Sequence, residues 1–174
     1  LSDEDKVKAD NVFIPAFGLM LSMDGVPLIY YGTEQGFSGG WDPENREDLW
    51  TSNFNQTNPY FTFLKKMNQL RAKLSPLRRG DLKVTWTSKS KWKEAEDAGI
   101  LAFERTYNEE KVLVVVNTNP FSTSKTKLDD QILSTTLKDG KLFDHVSGTV
   151  DAEVKNSKVL IEVPARSIKI LSNQ

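Results

Sequence analysis

The sequence predicts two unlike parts in series: an α/β segment over residues 1–79 and an antiparallel Greek-key β-sandwich over residues 80–174. Three observations carry this. Apolar residues at helical spacing occur only before Gly80. Between two such helices lies one short unbroken apolar run, Val26-Pro27-Leu28-Ile29-Tyr30-Tyr31, which reads as a strand buried on both faces. After Gly80 the chain breaks into short β-type runs separated by turn residues, the pattern of a small sandwich.

Residues 2–24 predict a helix. Ser2 suits its N-cap, and Asp3, Glu4 and Asp5 oppose the positive end of its dipole. Val7, Phe13, Ile14, Phe17 and Leu21 give it an apolar face. Pro15 deletes one backbone bond, so a kink or split is expected near Asn11 to Ile14. Asp24-Gly25 stops it. After the predicted strand comes a Gly-rich loop, Gly32 to Asp48, with acids, an amide, an arginine and an aromatic. In parallel α/β architectures chemistry sits on loops of this kind, beyond the C-terminal ends of strands. Asn58-Pro59 is an N-cap with a first-turn proline and opens a second helix, with Phe63, Leu64, Met67, Leu70 and Leu74 as its buried stripe and Ser75-Pro76 at its end. Strands are expected at 83–87, 100–107, 112–117, 123–128, 141–145, 159–163 and 167–171, with turns at Asn108-Glu109, Asn119-Pro120, Asp139-Gly140, Asn156-Ser157 and Pro164.

Composition narrows the function classes. The 174 residues carry a net charge of −1, which favours neither nucleic acid nor an anionic membrane, and neither partner is expected. With no cysteine there are no disulfides or thiolate metal sites, and one histidine, His145, excludes a multi-His cage. The apolar runs fall short of a membrane span, and no signal-peptide pattern opens the chain. The first residue is not Met, as expected of an excised or trimmed piece. A parallel strand buried on both faces needs neighbours on both edges, and residues 1–79 supply none. That segment is therefore expected to require upstream chain or a second polypeptide.

GVPLIYYGTEQ followed by GGWDPENRE resembles the end of the catalytic barrel in the α-amylase clan of glycoside hydrolases, at the eighth strand and the loop after it. Gly40-Trp41-Asp42-Pro43-Glu44-Asn45-Arg46 is similar to the loop of fungal-type α-amylases and cyclodextrin glucanotransferases. The resemblance implies the last strand-helix unit of a (β/α)8 barrel, comprising helix 7, strand 8, the sugar-binding loop and helix 8, followed by the β-sandwich called domain C. It implies a retaining hydrolase of internal α-1,4-glucosidic bonds of starch or related glucans, and hence an oligosaccharide substrate and the upstream barrel as partners. The three catalytic carboxylates of the family fall upstream, so no catalytic residue lies in this chain and it is expected inactive alone. By resemblance Asp42 and Arg46 hydrogen-bond a glucose unit away from the cut, and Trp41 is a candidate to stack on it. No cofactor or metal ligand is expected in this segment. Calcium in the parent would be held by upstream residues, and the family implies an extracellular location. The rivals are a transglycosylase of the same clan and a non-catalytic amylase-like binding protein. The glucanotransferases continue into further β domains, so a chain ending at Gln174 favours the hydrolase.

Each candidate has a plainer alternative. Asp42 and Arg46 also suit an ion pair within the loop, and the two roles are compatible. Glu34 reads as a hydrogen-bonding support, and Glu47 and Asp48 as solvated or capping acids. His145 reads as a satisfied sheet histidine. Trp86, Trp92 and Phe103 suit either a starch platform or packing, and packing is expected.

Overall fold

The computed structural model describes residues 3–89 and 94–173, and within the first helix the side chains from Val12 onward. Ser2, Trp92 and the side chain of Val7 lie outside the described residues. Among the described residues three helices, α1 (Asp3–Ser22), α2 (Pro59–Lys73) and α3 (Ser75–Arg79), precede ten strands. Six strands form one antiparallel sheet in the order β1-β2-β3-β10-β7-β8. Their ranges are β1 Asp81–Thr87, β2 Ile100–Tyr107, β3 Glu110–Asn117, β7 Gly140–Asp144, β8 Thr149–Val154 and β10 Ser167–Asn173. The pairs β4 (Ser124–Lys125) with β9 (Glu162–Val163), and β5 (Lys127–Leu128) with β6 (Gln131–Ile132), lie in the layer opposite.

Both faces of the large sheet are covered. In β3 the run Val112-Leu113-Val114-Val115-Val116 is fully buried, and its residues alternate between two cores. Leu113 and Val115 join Trp86, Leu133, Val159, Ile161 and Val163 inside the sandwich. Val112, Val114 and Val116 meet Leu21, Leu64, Met67 and Leu77 of the helices, together with Phe103. An antiparallel strand with one wet face alternates apolar and polar residues; this one does not, because helices replace the water. Trp86 and Phe103 are therefore packing residues, one in each core.

Helix α1 runs unbroken through the buried Pro15, so the expected split is absent. Tertiary packing outweighs the missing bond. Phe13 stacks on Phe17 at 4.4 Å and meets Tyr60 at 4.4 Å, while Gly18 lies against Ile168. The C-terminal carbonyls of α1, which have no partner within a helix, are taken up by two arginines. Arg71 donates to Leu21 O at 2.8 Å, Met23 O at 3.2 Å, Gly25 O at 2.6 Å and Leu77 O at 2.5 Å. Arg105, on β2, donates to Ser22 O at 2.6 Å and Gly80 O at 2.7 Å. Both are buried cations at the negative end of the α1 dipole. Helix α2 starts where the sequence predicts, with Asn58 Oδ1 accepting from Tyr60 N. It is followed after Leu74 by the unpredicted short α3, which Ser75-Pro76 opens and does not prevent.

The strand predicted over Val26–Tyr31 is not formed. The segment pairs with no described strand, Val26 is 96% exposed and Leu28 82% exposed. Ile29 alone of the run packs on the helical core. The sequence pattern of a doubly buried strand is present, but among the described residues no neighbour offers backbone groups to pair with it. The α/β part of the predicted fold class is thus represented here by helices only. The sandwich strands fall near their predicted places. Exceptions are β6 and β8, which were not foreseen, the run 123–128, which divides into β4 and β5 in separate sheets, and the run 159–163, of which only Glu162–Val163 is strand. Two predicted turns turn out to be tied together: Asp139 accepts from Asn156 N at 2.8 Å and Ser157 N at 3.0 Å, bonds that hold its carboxyl below the usual range.

Candidate functional site

Residues 32–58 fold back as one loop between the exposed apolar segment and α2. Its first turn, Thr33–Gln35, is bracketed by Gly32 and Gly36, both in the left-handed region. A side chain at Gly32 would strike the Phe37 ring, and one at Gly36 the Tyr60 ring, so both positions require glycine. The base of the loop is tied by Gln35 Nε2 donating to Asn55 O at 3.3 Å and Asn58 Nδ2 donating to Gln35 O at 3.0 Å.

At the tip, Asp42 and Arg46 form an ion pair, Arg46 Nη2 to Asp42 Oδ1 at 2.9 Å, with their side chains 64% and 68% exposed. The peptide Asp42-Pro43 is cis. Arg46 N donates to Pro43 O, and Asn45 N to Trp41 O, so the pair sits on a tight backbone turn. An exposed pair of this kind contributes only about 0–1 kcal/mol to stability. Its hydrogen-bonding capacity is far from exhausted, since a carboxylate accepts at several sites and a guanidinium has five donors. One edge of the loop therefore offers acceptors and donors to a polyhydroxylated ligand. Trp41 beside it is 89% exposed.

The other sequence candidates are placed as follows. Glu47 accepts from Gly39 N at 2.9 Å, which ties the loop across its waist and is neither capping nor solvation. Asp48 occupies the N-cap position of the short 3-10 turn Leu49–Ser52 without a side-chain capping bond. Glu34 lines a groove of about 620 Å³ with Ile29, Phe61 and Leu64. Tyr31 packs on Tyr30 at 4.8 Å; its phenol is pushed up first by partial desolvation, then by Tyr30 and Asp48, and Arg46 opposes. Trp50, 65% exposed, and Phe54, 58% exposed, also stand on this loop and were not singled out from sequence. Trp50 follows Leu49 and Phe54 stands alone between Asn53 and Asn55, and neither setting signals exposure. Among the described residues no group of three or more His, Asp or Glu side chains is placed to hold a metal ion.

His145 lies just past β7, remote in sequence from the loop. Its Nε2 is 2.9 Å from Ser172 Oγ and its ring meets Phe143 edge-on. Burial first, and Lys73 second, hold the imidazole below its usual range, against Asp144. A base whose folded pKa is depressed keeps its full contribution above the unfolded pKa, near ~6.5, and loses it as pH falls from there through the lower folded pKa. The urea midpoint is expected to fall between about pH 7.5 and 5.5, and His145→Gln to flatten that fall.

Residues 92–170 match the family model described as the C-terminal domain of maltogenic amylase. α-Amylase 1 of Schwanniomyces occidentalis is 46% identical over 70 residues, 40% of this chain and 12% of that protein. A β/α-amylase of Paenibacillus polymyxa is 28% identical over 157 residues, 90% of this chain and 12% of that protein. The solved structure of an Anoxybacillus α-amylase superposes with a TM-score of 0.74 at 29% identity, covering 95% of this chain and 33% of that one. The chain thus spans about an eighth of the curated relatives and a third of the solved enzyme.

Proposed function

We propose that this chain, which carries an α-amylase-type C-terminal domain, is the C-terminal portion of an α-amylase-like glycoside hydrolase acting on internal α-1,4 bonds of glucans. The observation that carries the reading is the solvent-facing Asp42–Arg46 pair on a braced loop, beside an exposed Trp41. In this reading Asp42 accepts from sugar hydroxyls, Arg46 donates in a fixed fork and Trp41 covers a sugar face. Chemistry by paired carboxylates through a glycosyl-enzyme is done by residues outside this chain. Binding at a distal sugar helps hold the scissile bond in place. The exposed edge at Val26, Leu28 and Tyr30 is where an upstream strand of the barrel would pair, with helices α1 and α2 as the last two barrel helices. In this reading the parent acts on a glucan outside the cell. A transglycosylase of the same clan would use the same loop and differ in residues outside this chain.

Asp42→Ala or Arg46→Ala in the full-length parent is expected to lower kcat/KM on long oligosaccharides about tenfold, the loss of a charge-assisted bond to a ligand. Short aryl-glycosides that do not reach the loop lose less. Equal losses on both substrates rule out a distal contact. Amide exchange supplies a second arm. Val26 and Leu28 are expected to exchange fast in the 174-residue chain and to be protected in the parent if a strand pairs there.

A further inference from the structure

We propose that Glu47 is the positioning residue of the sugar-binding loop: its carboxylate closes the loop's waist and so fixes how Asp42 and Arg46 are presented. The inference rests on the reading of that pair as a distal glucose contact and adds to it a residue that touches no sugar.

The geometry separates two tiers of support. Gln35, Asn55 and Asn58 tie the base of the loop, seven or more residues away from the ion pair along the chain. Within the tip, the backbone bonds of the 41–46 turn shape the turn itself and do not anchor it. Between these tiers lies the contact from Gly39 N to Glu47 Oε1, which bridges eight residues. It is charge-assisted, which strengthens it, and open to solvent, which screens it. The segment it holds contains Gly39 and Gly40, with φ of 63° and 155°. Two adjacent glycines have the widest backbone freedom, so without an anchor this strand of the loop samples many conformations. Glu47 is half-buried, whereas Asp42 and Arg46 are exposed. The division of labour follows: the inner acid is committed to the backbone and the outer pair is presented to ligand. Order established before binding is order that the ligand need not impose, so the contribution appears in substrate affinity.

The test uses the full-length parent with a long maltooligosaccharide and a short aryl-glycoside, in Glu47→Ala, Glu47→Gln and Asp42→Ala. Glu47→Ala is expected to raise KM for the long substrate about fivefold with a smaller change in kcat, and to affect the short substrate less. Glu47→Gln keeps a carbonyl acceptor for Gly39 N–H but loses the charge, and is expected to recover about half of the loss. In the 174-residue chain, Glu47→Ala is expected to speed exchange of the Gly39 amide. If Asp42→Ala is impaired while Glu47→Ala behaves as wild type, or Gly39 exchange is unchanged, the clamp is overturned. Equal impairment in Glu47→Ala and Glu47→Gln also overturns it, since it assigns Glu47 a direct charge contact with substrate. If Asp42→Ala itself is unaffected, the sugar-contact reading fails, and positioning fails with it.

Discussion

Arg105→Leu is expected to destabilise the 174-residue chain by about 3 kcal/mol, a loss visible in urea denaturation as a lower midpoint. The leucine cannot donate, so Ser22 O and Gly80 O lose bonds of 2.6 and 2.7 Å in a place closed to water. Each stranded buried carbonyl costs roughly 1–3 kcal/mol. A partial offset arises because a buried guanidinium is itself desolvated, the main reason its pKa is pushed down. The bond to Ser22 O is also a long-range tie: it joins strand β2 to the end of α1 across 83 residues of sequence. Arg105→Lys is expected to recover little, because one ammonium cannot reproduce a planar fork aimed at two carbonyls. A change below about 0.5 kcal/mol for Arg105→Leu would show that water reaches those carbonyls and that the arginine is peripheral.

This clamp was not legible in the sequence. Arg105 lies inside the strand Ile100–Tyr107, where period-2 reasoning sends alternate residues inward and outward but cannot say that a second layer waits on the outer side. The one available signal was the run Val112–Val116, whose lack of alternation already demanded two dry faces. Local signals fared better. Asn58-Pro59 fixed the start of α2, and Asn108 and Asn156 marked turns that use positive φ, as short polar side chains allow. Pro15 does not split α1, because its cost is local and the packing of Phe13, Phe17 and Gly18 is not. At the loop, the spacing of Asp42 and Arg46 announced a pair, and the pair is present. The bond between Glu47 and Gly39 was hidden because a carboxylate contact to a backbone amide eight residues away has no sequence signature. Val26–Tyr31 is the instructive miss. Composition selected a strand, yet strand formation is a property of two segments, and among the described residues none pairs with this one.

That shared sheet also decides how the helices are held. Phe103→Ala is expected to cost about 3–5 kcal/mol, the usual range for emptying a well-packed aromatic site. Phe103 is 2% exposed and belongs to the core formed with Leu64, Met67, Leu77 and Val114. Its neighbours Ala102 and Glu104 point to the opposite side, Ala102 into the sandwich core and Glu104 to Thr135 and Thr136. The cavity therefore opens between helices and sheet and leaves the sandwich interior intact. Amide exchange should rise first in α1 and α2, ahead of β3 and β10. Trp86→Ala provides the mirror case, since Trp86 is 5% exposed in the other core. It is expected to loosen β1 and the loop bearing Asp97, whose Oδ2 accepts from the indole N–H at 3.3 Å, before it loosens the helices. If both variants raise exchange everywhere alike, the two cores unfold as one unit. If Phe103→Ala leaves α1 and α2 protected, the helices do not depend on the sheet, and the packing of the apolar face of β3 against them is not what holds residues 12–79 in place.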